Sequence, residues 1–157
     1  MIEHVWTVIC SRVVVDQESN NLSIQNVLER VTIPGEPIPE TLVPMPFEVV
    51  TMLTRADREE PVRGSMRMQM LFPSGKVFDT READIAMTRH TTYRVRNRFS
   101  GLPIAEAGRH VFTVELRNAG EEQWRQVAAV PLMILLKPPE EESTVGEPKV
   151  LGESESV

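Results

Sequence analysis

The stretch that decides the fold is residues 62–72, which read VRGSMRMQMLF. Its apolar side chains fall on alternate positions and its polar ones lie between them. The apolar set is Val62, Met66, Met68, Met70 and Phe72, and the polar set is Arg63, Ser65, Arg67 and Gln69. Because successive side chains of a β-strand point to opposite faces, a period of two places each set on its own face. The stretch therefore predicts a strand in a sheet that is buried on one side.

Seven other stretches have the alternating or continuously apolar character of strands, and turn residues separate them. Their residues are 3–15, 22–33, 47–54, 76–79, 89–99, 109–117 and 124–136. The chain contains 20 Val, 8 Ile and 11 Thr against 8 Ala and 11 Leu, so β-branched residues outnumber good helix formers. A short helix fits only residues 81–87. We therefore expect an all-β fold, a single antiparallel β-sandwich of about 7–9 strands with an immunoglobulin-like or jelly-roll arrangement.

The stretch 22–33 contains one irregularity. Its apolar parity slips between Ile24 and Val27. An extra residue in one strand of a pair produces such a slip, and Asn tolerates a positive φ better than most residues. We therefore predict a β-bulge at Asn26.

Length and charge divide the chain into a body and a tail. A chain of 157 residues has the size of one domain. Residues 138–157 contain six Glu and one Lys, so they carry five of the six net negative charges. We expect residues 1–137 to form the β-sandwich domain and residues 138–157 to form an acidic, disordered tail. The nearly neutral body argues against a general polyanion-binding protein.

Parts of the chain resemble a known family. They are residues 10–16 (CSRVVVD), 22–31 (LSIQNVLERV), 102–114 (LPIAEAGRHVFTV) and 130–134 (VPLMI). The chain resembles a family of small bacterial all-β proteins of unknown function, and the resemblance covers most of residues 1–136. It departs from the family at Asn26, where a Gly is usual, and at His110, where a Tyr is usual. The resemblance implies an immunoglobulin-like or jelly-roll sandwich and implies no activity.

The single cysteine and the apolar runs bear on location. Cys10 has no partner for an intramolecular disulfide, and it lies in a strand that is apolar on both faces. The N-terminal residues lack the basic and apolar regions of a secretory signal, and no run approaches the ~20 apolar residues of a membrane span. We therefore expect a cytoplasmic protein with a buried, unreactive Cys10 and no membrane partner.

Catalytic and metal-binding motifs do not emerge from the sequence. It contains no Gly-x-Ser-x-Gly and no Gly-x-Gly-x-x-Gly, and Ser74-Gly75-Lys76 lacks the earlier Gly of a phosphate loop. If residues 89–99 and 109–117 form a hairpin, His90 and His110 lie roughly 24 Å apart, too far to share a metal ion. We therefore predict no catalytic residues, no metal site and no cofactor.

The distinctive surface feature is a line of arginines. Residues 85–103 contain no Asp or Glu, and Arg94, Arg96 and Arg98 fall on one side of a predicted strand, ~6.5–7 Å apart. Such a line could bind phosphate, carboxylate or a nucleic-acid backbone. Alternatively, it is an outer sheet face whose arginines pair with acids across strands, with Glu48 and Glu115 as the expected partners.

The function most consistent with these features is that of a non-catalytic protein-interaction or structural module, whose partner is another protein or a second copy. An anion-binding module that uses Arg94, Arg96 and Arg98 is the first alternative. An enzyme of unrecognised type is the second.

Overall fold

The computed structural model describes residues 1–138, and the proposed tail at 138–157 therefore lies almost entirely outside the described residues. Within residues 1–138 the chain forms eleven strands and no helix, which confirms the all-β prediction. The strands are β1 (Ile2–Val15), β2 (Leu22–Val27), β3 (Arg30–Pro34), β4 (Leu42–Val43), β5 (Phe47–Arg55), β6 (Val62–Leu71), β7 (Val77–Met87), β8 (Thr92–Phe99), β9 (Leu102–Pro103), β10 (Gly108–Asn118) and β11 (Arg125–Lys137). In this part of the chain there is no helix of the length and apolarity that a membrane span requires.

The strands form two larger sheets and one small ribbon. A four-stranded sheet has the order β2-β1-β5-β8, and a five-stranded sheet has the order β3-β11-β10-β6-β7. The short strands β4 and β9 pair only with each other among the described residues. Both lie in segments that the sequence pattern assigns to turns, because two-residue strands are too short to show a period.

Residues 81–87, where the sequence could accommodate a short helix, form no helix. They continue β7, in which Ile85 and Met87 are buried while Asp84 and Ala86 are exposed. This alternation has the period of a strand, and pairing with β6 along the whole length of β7 stabilises it. The strand expected at 76–79 is therefore the beginning of a longer one.

The segment around Asn26 is where the chain passes from one sheet to the other. Asn26 has the expected positive φ of 53°, but the pairing of β1 with β2 keeps one register from Val27 to Leu22, so no residue is inserted. Leu28 donates its N–H to the carbonyl of Ile9 at 2.8 Å, and the chain then enters β3 in the other sheet. The parity slip therefore marks a change of sheet, and the predicted bulge is wrong.

One strand pair is parallel, which corrects the fully antiparallel arrangement expected from the sequence. β3 runs parallel to β11, with Val31 opposite Ile134. Parallel neighbours need a long connection, and here residues 35–124, which include seven other strands, supply it. Sequence patterns cannot reveal such a distant pairing.

The two larger sheets share one apolar core. Phe47 and Phe99 from the four-stranded sheet stack with their ring centres 4.7 Å apart, and Phe112 from the five-stranded sheet meets both rings edge-on at 6.0 and 5.9 Å. Edge-to-face and offset stacked pairs are the favoured aromatic geometries, so these rings stabilise the contact between the sheets. Met66, Met68 and Met70 are also fully buried in this core, as the alternation of residues 62–72 predicts.

Candidate functional site: the arginine face and the β7 cleft

The predicted arginine line lies on β8, at one edge of the four-stranded sheet. β8 pairs with β5, which places Glu48 directly opposite Arg98 and Val50 opposite Arg96. Glu48 is the only acidic residue that is buried within residues 1–138, and its side chain is 9% exposed. The acid is therefore in position to pair with the arginines, as the second interpretation of the line requires.

Glu48 binds three groups at once. Its carboxylate accepts hydrogen bonds from Arg96 Nη2 at 2.9 Å, from Arg98 Nε at 2.8 Å and from the Val13 N–H at 2.9 Å. Burial by itself would raise the pKa of Glu48, but the hydrogen bonds from Arg98 and Arg96, the charge of Arg96 and the Val13 N–H outweigh it. The pKa of Glu48 is therefore held below its usual range, and the carboxylate is ionised at neutral pH.

This network secures β1 where it leaves β5. Pairing between the two strands ends at Cys10 and Glu48, so the backbone of Val13 has no partner on β5. Glu48 accepts its N–H, and Arg96 Nη2 donates to its carbonyl at 3.2 Å. The two side chains thus replace the backbone hydrogen bonds that β1 gives up.

The hairpin formed by the end of β1 and by β2 lies over the outer face of the sheet. At its turn the Asn20 carbonyl accepts a hydrogen bond from Arg94 Nη2 at 2.6 Å, although Arg94 belongs to the strand at the opposite edge of the sheet. The hairpin covers a second apolar cluster of Cys10, Val13, Val50, Trp6, Val8, Leu22 and Ile24. Cys10 is fully buried there, as expected, and burial followed by the charge of Glu48 raises the pKa of its thiol.

Two of the three arginines of the line, Arg94 and Arg96, contribute to a cleft beside the hairpin. This cleft, here called the hairpin cleft, has a volume of ≈ 370 Å³. It lies between Val15, Asn20 and Leu22 of the hairpin and Thr92, Arg94 and Arg96 of β8. Arg98 lies outside this cleft, and its side chain is 72% exposed. Glu115, the other expected partner, is bound to Arg67 at 2.6 Å on the five-stranded sheet.

The histidines lie in different environments. The hairpin assumed between residues 89–99 and 109–117 is wrong, because β8 pairs with β5 while β10 pairs with β6 and β11. His90 is exposed at the rim of the hairpin cleft, whereas His110 is fully buried beside Phe72 at a ring distance of 5.7 Å. Residues 1–138 contain no group of three or more His, Cys, Asp or Glu side chains that could hold a metal ion.

His110 is a neutral core residue. Its Nδ1 lies 3.0 Å from the Gly108 carbonyl, and since a carbonyl only accepts, Nδ1 carries the proton. Nε2 is buried and, within residues 1–138, has no hydrogen-bond partner. Burial lowers the pKa of His110 and outweighs the opposing effects of the Gly108 carbonyl and of Glu106.

A second surface cleft was not anticipated from the sequence. It has a volume of ≈ 300 Å³ and lies at the start of β7, and its apolar lining is Pro39, Phe72, Val77, Phe78, Pro103 and Ala105. We call it the β7 cleft. Its lining comes from three segments, two of which, 34–46 and 101–108, have the composition of turns.

A bulge positions Phe78, one of the two aromatic side chains that line this cleft. Met70 pairs with Asp79 and Leu71 pairs with Val77, so Phe78 is the extra residue on β7. Its ring meets Phe72 edge-on at 5.4 Å and is 37% exposed. Bulges often occur next to functional sites, where they change the direction of a side chain. The sequence signal that could have indicated this cleft is the apolar pair Val77-Phe78 directly after the Ser74-Gly75 turn.

Comparison with protein-family models and with curated protein sequences gives no match. Among solved structures, the C-terminal domain of Wzt is similar at a TM-score of 0.48 and 8% identity, covering 85% of this chain and 72% of that one. A family 123 glycoside hydrolase from Clostridium perfringens has a TM-score of 0.46 and 6% identity, covering 84% of this chain and 27% of the hydrolase. The N-terminal domain of PorA has a TM-score of 0.28 and 13% identity, covering 84% of this chain and 98% of that domain.

Proposed function

We propose that this protein is a non-catalytic interaction module that binds an extended segment of another protein at the β7 cleft. The observation that carries the proposal is a concentration of exposed apolar side chains. Eight large apolar side chains are exposed within residues 1–138. Two of them, Val77 (43% exposed) and Phe78 (37%), line this cleft. Two more, Ile38 (51%) and Leu42 (47%), are adjacent in sequence to residues that line it. Exposed apolar side chains that line a cleft, as those of Val77 and Phe78 do, are characteristic of a protein-binding surface.

The backbone beside the cleft supports binding of an extended segment. β7 is the last strand of the five-stranded sheet, and β6 is its only strand partner in the described part of the chain. An edge strand has outer N–H and C=O groups that can pair with a strand of another chain, and on β7 the part beside the cleft precedes Arg81, whose side chain donates to the Arg98 carbonyl of β8. Such pairing would supply affinity, and the cleft would select an apolar side chain of the partner.

The chemistry of the cleft suits packing. Its charged lining residues are Lys76 and Glu40, and its other polar lining residue is Thr41, while the remaining surface is aliphatic, aromatic or proline. Proline and aromatic rings bury area at a small cost in side-chain entropy, since they have few rotatable bonds. We therefore assign this surface to binding and assign no catalytic role to its residues.

We infer that the domain is a single immunoglobulin-like sandwich. The order β11-β10-β6-β7 supports this, because it corresponds to the G-F-C-C′ order of a variable-type immunoglobulin sheet. The resemblance to the small bacterial all-β family is part of the same proposal, as is a cytoplasmic location. The buried, unpaired Cys10 is consistent with a reducing compartment.

The proposal is tested by selecting peptides from a random displayed library on the full-length protein. We expect the enriched peptides to contain apolar residues two positions apart, because alternate side chains of an added strand face the cleft. Their binding should fall at least about tenfold in Phe78→Asp, which places a charge in the apolar cleft.

Val14→Asp is the matched control, since Val14 on β1 is also 37% exposed but lies away from the cleft. Both variants should melt within a few degrees of the unmodified protein. Peptides that bind Phe78→Asp and Val14→Asp equally well, or a selection that enriches no peptide, would remove the proposed function.

A further inference from the structure

We propose that the hairpin cleft binds a compact anion, a carboxylate or phosphate group, with Arg94 as its principal cation. This site is separate from the β7 cleft and is independent of the proposed function. It is formed by the hairpin of β1 and β2 on one side and by β8 on the other.

The first argument is an excess of positive charge. Arg94, Arg96 and Arg98 stand on one strand, and the acid bound to them within residues 1–138 is Glu48 alone. Glu48 is shared between Arg96 and Arg98, while Arg94 is bonded to a neutral carbonyl, that of Asn20. The charge of Arg94 is therefore not neutralised by a partner in the described chain.

The second argument is unused hydrogen-bonding capacity inside the cleft. A guanidinium has five N–H donors in a fixed plane. Arg94 uses its Nη2 to bind Asn20, and Arg96 uses its Nη2 to bind Glu48 and Val13. The Nε of Arg96 is buried and has no partner in residues 1–138, which is an energetically costly state for a charged group. An anion in the cleft would accept from the N–H groups of Arg94 that bind nothing else in residues 1–138, whereas the Nε of Arg96 has no exposed surface for a ligand to contact.

The third argument concerns the size of the ligand. A nucleic-acid backbone would need Arg94, Arg96 and Arg98 exposed in one line, but Arg96 and Arg98 are both bound to Glu48, and Arg98 does not line the cleft that Arg94 and Arg96 line. The side chain of Arg96 is only 26% exposed, whereas that of Arg98 is 72% exposed. A volume of ≈ 370 Å³ admits a small molecule, and the Thr92 hydroxyl and the His90 ring at its rim could donate further hydrogen bonds.

The test is a titration of the full-length protein with inorganic phosphate and, separately, with citrate, followed by NMR of backbone amides and arginine side chains. We expect saturable shifts at Asn20, Thr92 and Arg94 in at least one titration, and the stronger ligand identifies the preferred anion. The affinity should fall about tenfold in Arg94→Gln, since one charge-assisted contact is lost. It should stay within about twofold in Arg109→Gln, which removes the same charge from an exposed position on β10.

Two results would overturn the proposal. One is the absence of saturable shifts with both anions up to about 50 mM, a concentration well above the millimolar affinity of a weak specific site. The other is an equal affinity in Arg94→Gln and Arg109→Gln, which would indicate unspecific ionic binding. Neither result bears on peptide binding at the β7 cleft, so the two proposals fail separately.

Discussion

Glu48 on β5 and Arg96 on β8 lie 2.9 Å apart, and together they bind both backbone groups of Val13 at the point where β1 leaves the sheet. An ion pair between neighbouring strands commonly adds little to stability. This pair also satisfies a backbone N–H and a backbone C=O that have no strand partner on β5. It therefore couples the position of the hairpin to the packing of the four-stranded sheet.

The first prediction is that Glu48→Gln destabilises the protein by about 2 kcal/mol, because it leaves the half-buried Arg96 without its counter-charge. Gln retains a carbonyl oxygen that can accept from Val13, so the change keeps this backbone contact while it removes the charge and the hydrogen bonds that Arg96 and Arg98 donate to the other oxygen. The measurement is urea unfolding at pH 7. Glu122→Gln, at an exposed position, should change the free energy of unfolding by less than about 0.5 kcal/mol. Equal stabilities of the two variants would contradict the role given to Glu48.

The second prediction concerns acid. The pKa of Glu48 is lowered in the folded state, so the unfolded chain binds its proton first, near 4.5. The stabilisation by the carboxylate is thus complete above that pH and disappears as the pH falls through the folded-state value. We expect the stability difference between the unmodified protein and Glu48→Gln to be constant from pH 7 to about 5 and to shrink below about 4.5. Asp16 and Glu121, whose pKa values are also lowered, are present in both proteins and cancel in the difference. A difference that persists unchanged at pH 3 would show that the charge is not its source.

The third prediction concerns His110. Its pKa is lowered by burial, so below about 6.5 the unfolded chain binds a proton that the folded chain does not. Stability should therefore be complete above that pH and decline as the pH falls, by at most about 1.4 kcal/mol per pH unit for one proton. His110→Phe should remove this decline between pH 7.5 and about 5, while His4, which also has a lowered pKa, remains in both proteins. A decline of the same size in the variant would assign it to another group.

The fourth prediction concerns Gly64 on β6. A Cβ atom at this position would collide with the Arg117 carbonyl oxygen and would lie 2.7 Å from Cδ1 of Ile2. The backbone oxygen cannot move without disturbing the pairing of β6 with β10. We expect Gly64→Ala to cost about 1–3 kcal/mol in thermal or urea unfolding, as overpacking does. Ser65→Ala, at the next position, adds no atom and should cost less than about 1 kcal/mol; a similar loss in both variants would show that close packing at Gly64 is not the cause.

The sequence by itself determined the fold class and the inner faces of several strands. In residues 62–72 the apolar side chains of one face are buried or half-buried, and in residues 109–117 those of Phe112, Val114 and Leu116 are buried, although Thr113 on the opposite face is buried as well. A period of two is a property of one strand and can be recognised without knowing its neighbours. The burial of Met66, Met68 and Met70, and that of Phe112, Val114 and Leu116, could therefore be predicted. The pairing of the arginine line with Glu48 is one of the alternatives that the sequence predicts, because opposite charges on neighbouring strands of a sheet attract each other.

Tertiary structure alone decided the sheet order and both clefts. The parallel pairing of β3 with β11, the passage of the chain between sheets at Asn26, and the docking of the hairpin on Arg94 join residues that are far apart in sequence or separated by a turn. The β7 cleft likewise combines a bulged Phe78 with two segments of turn-like composition. Such contacts depend on which strands become neighbours in a sheet. The alternation of side chains is a property of one strand, so it does not show which strand will pair with it.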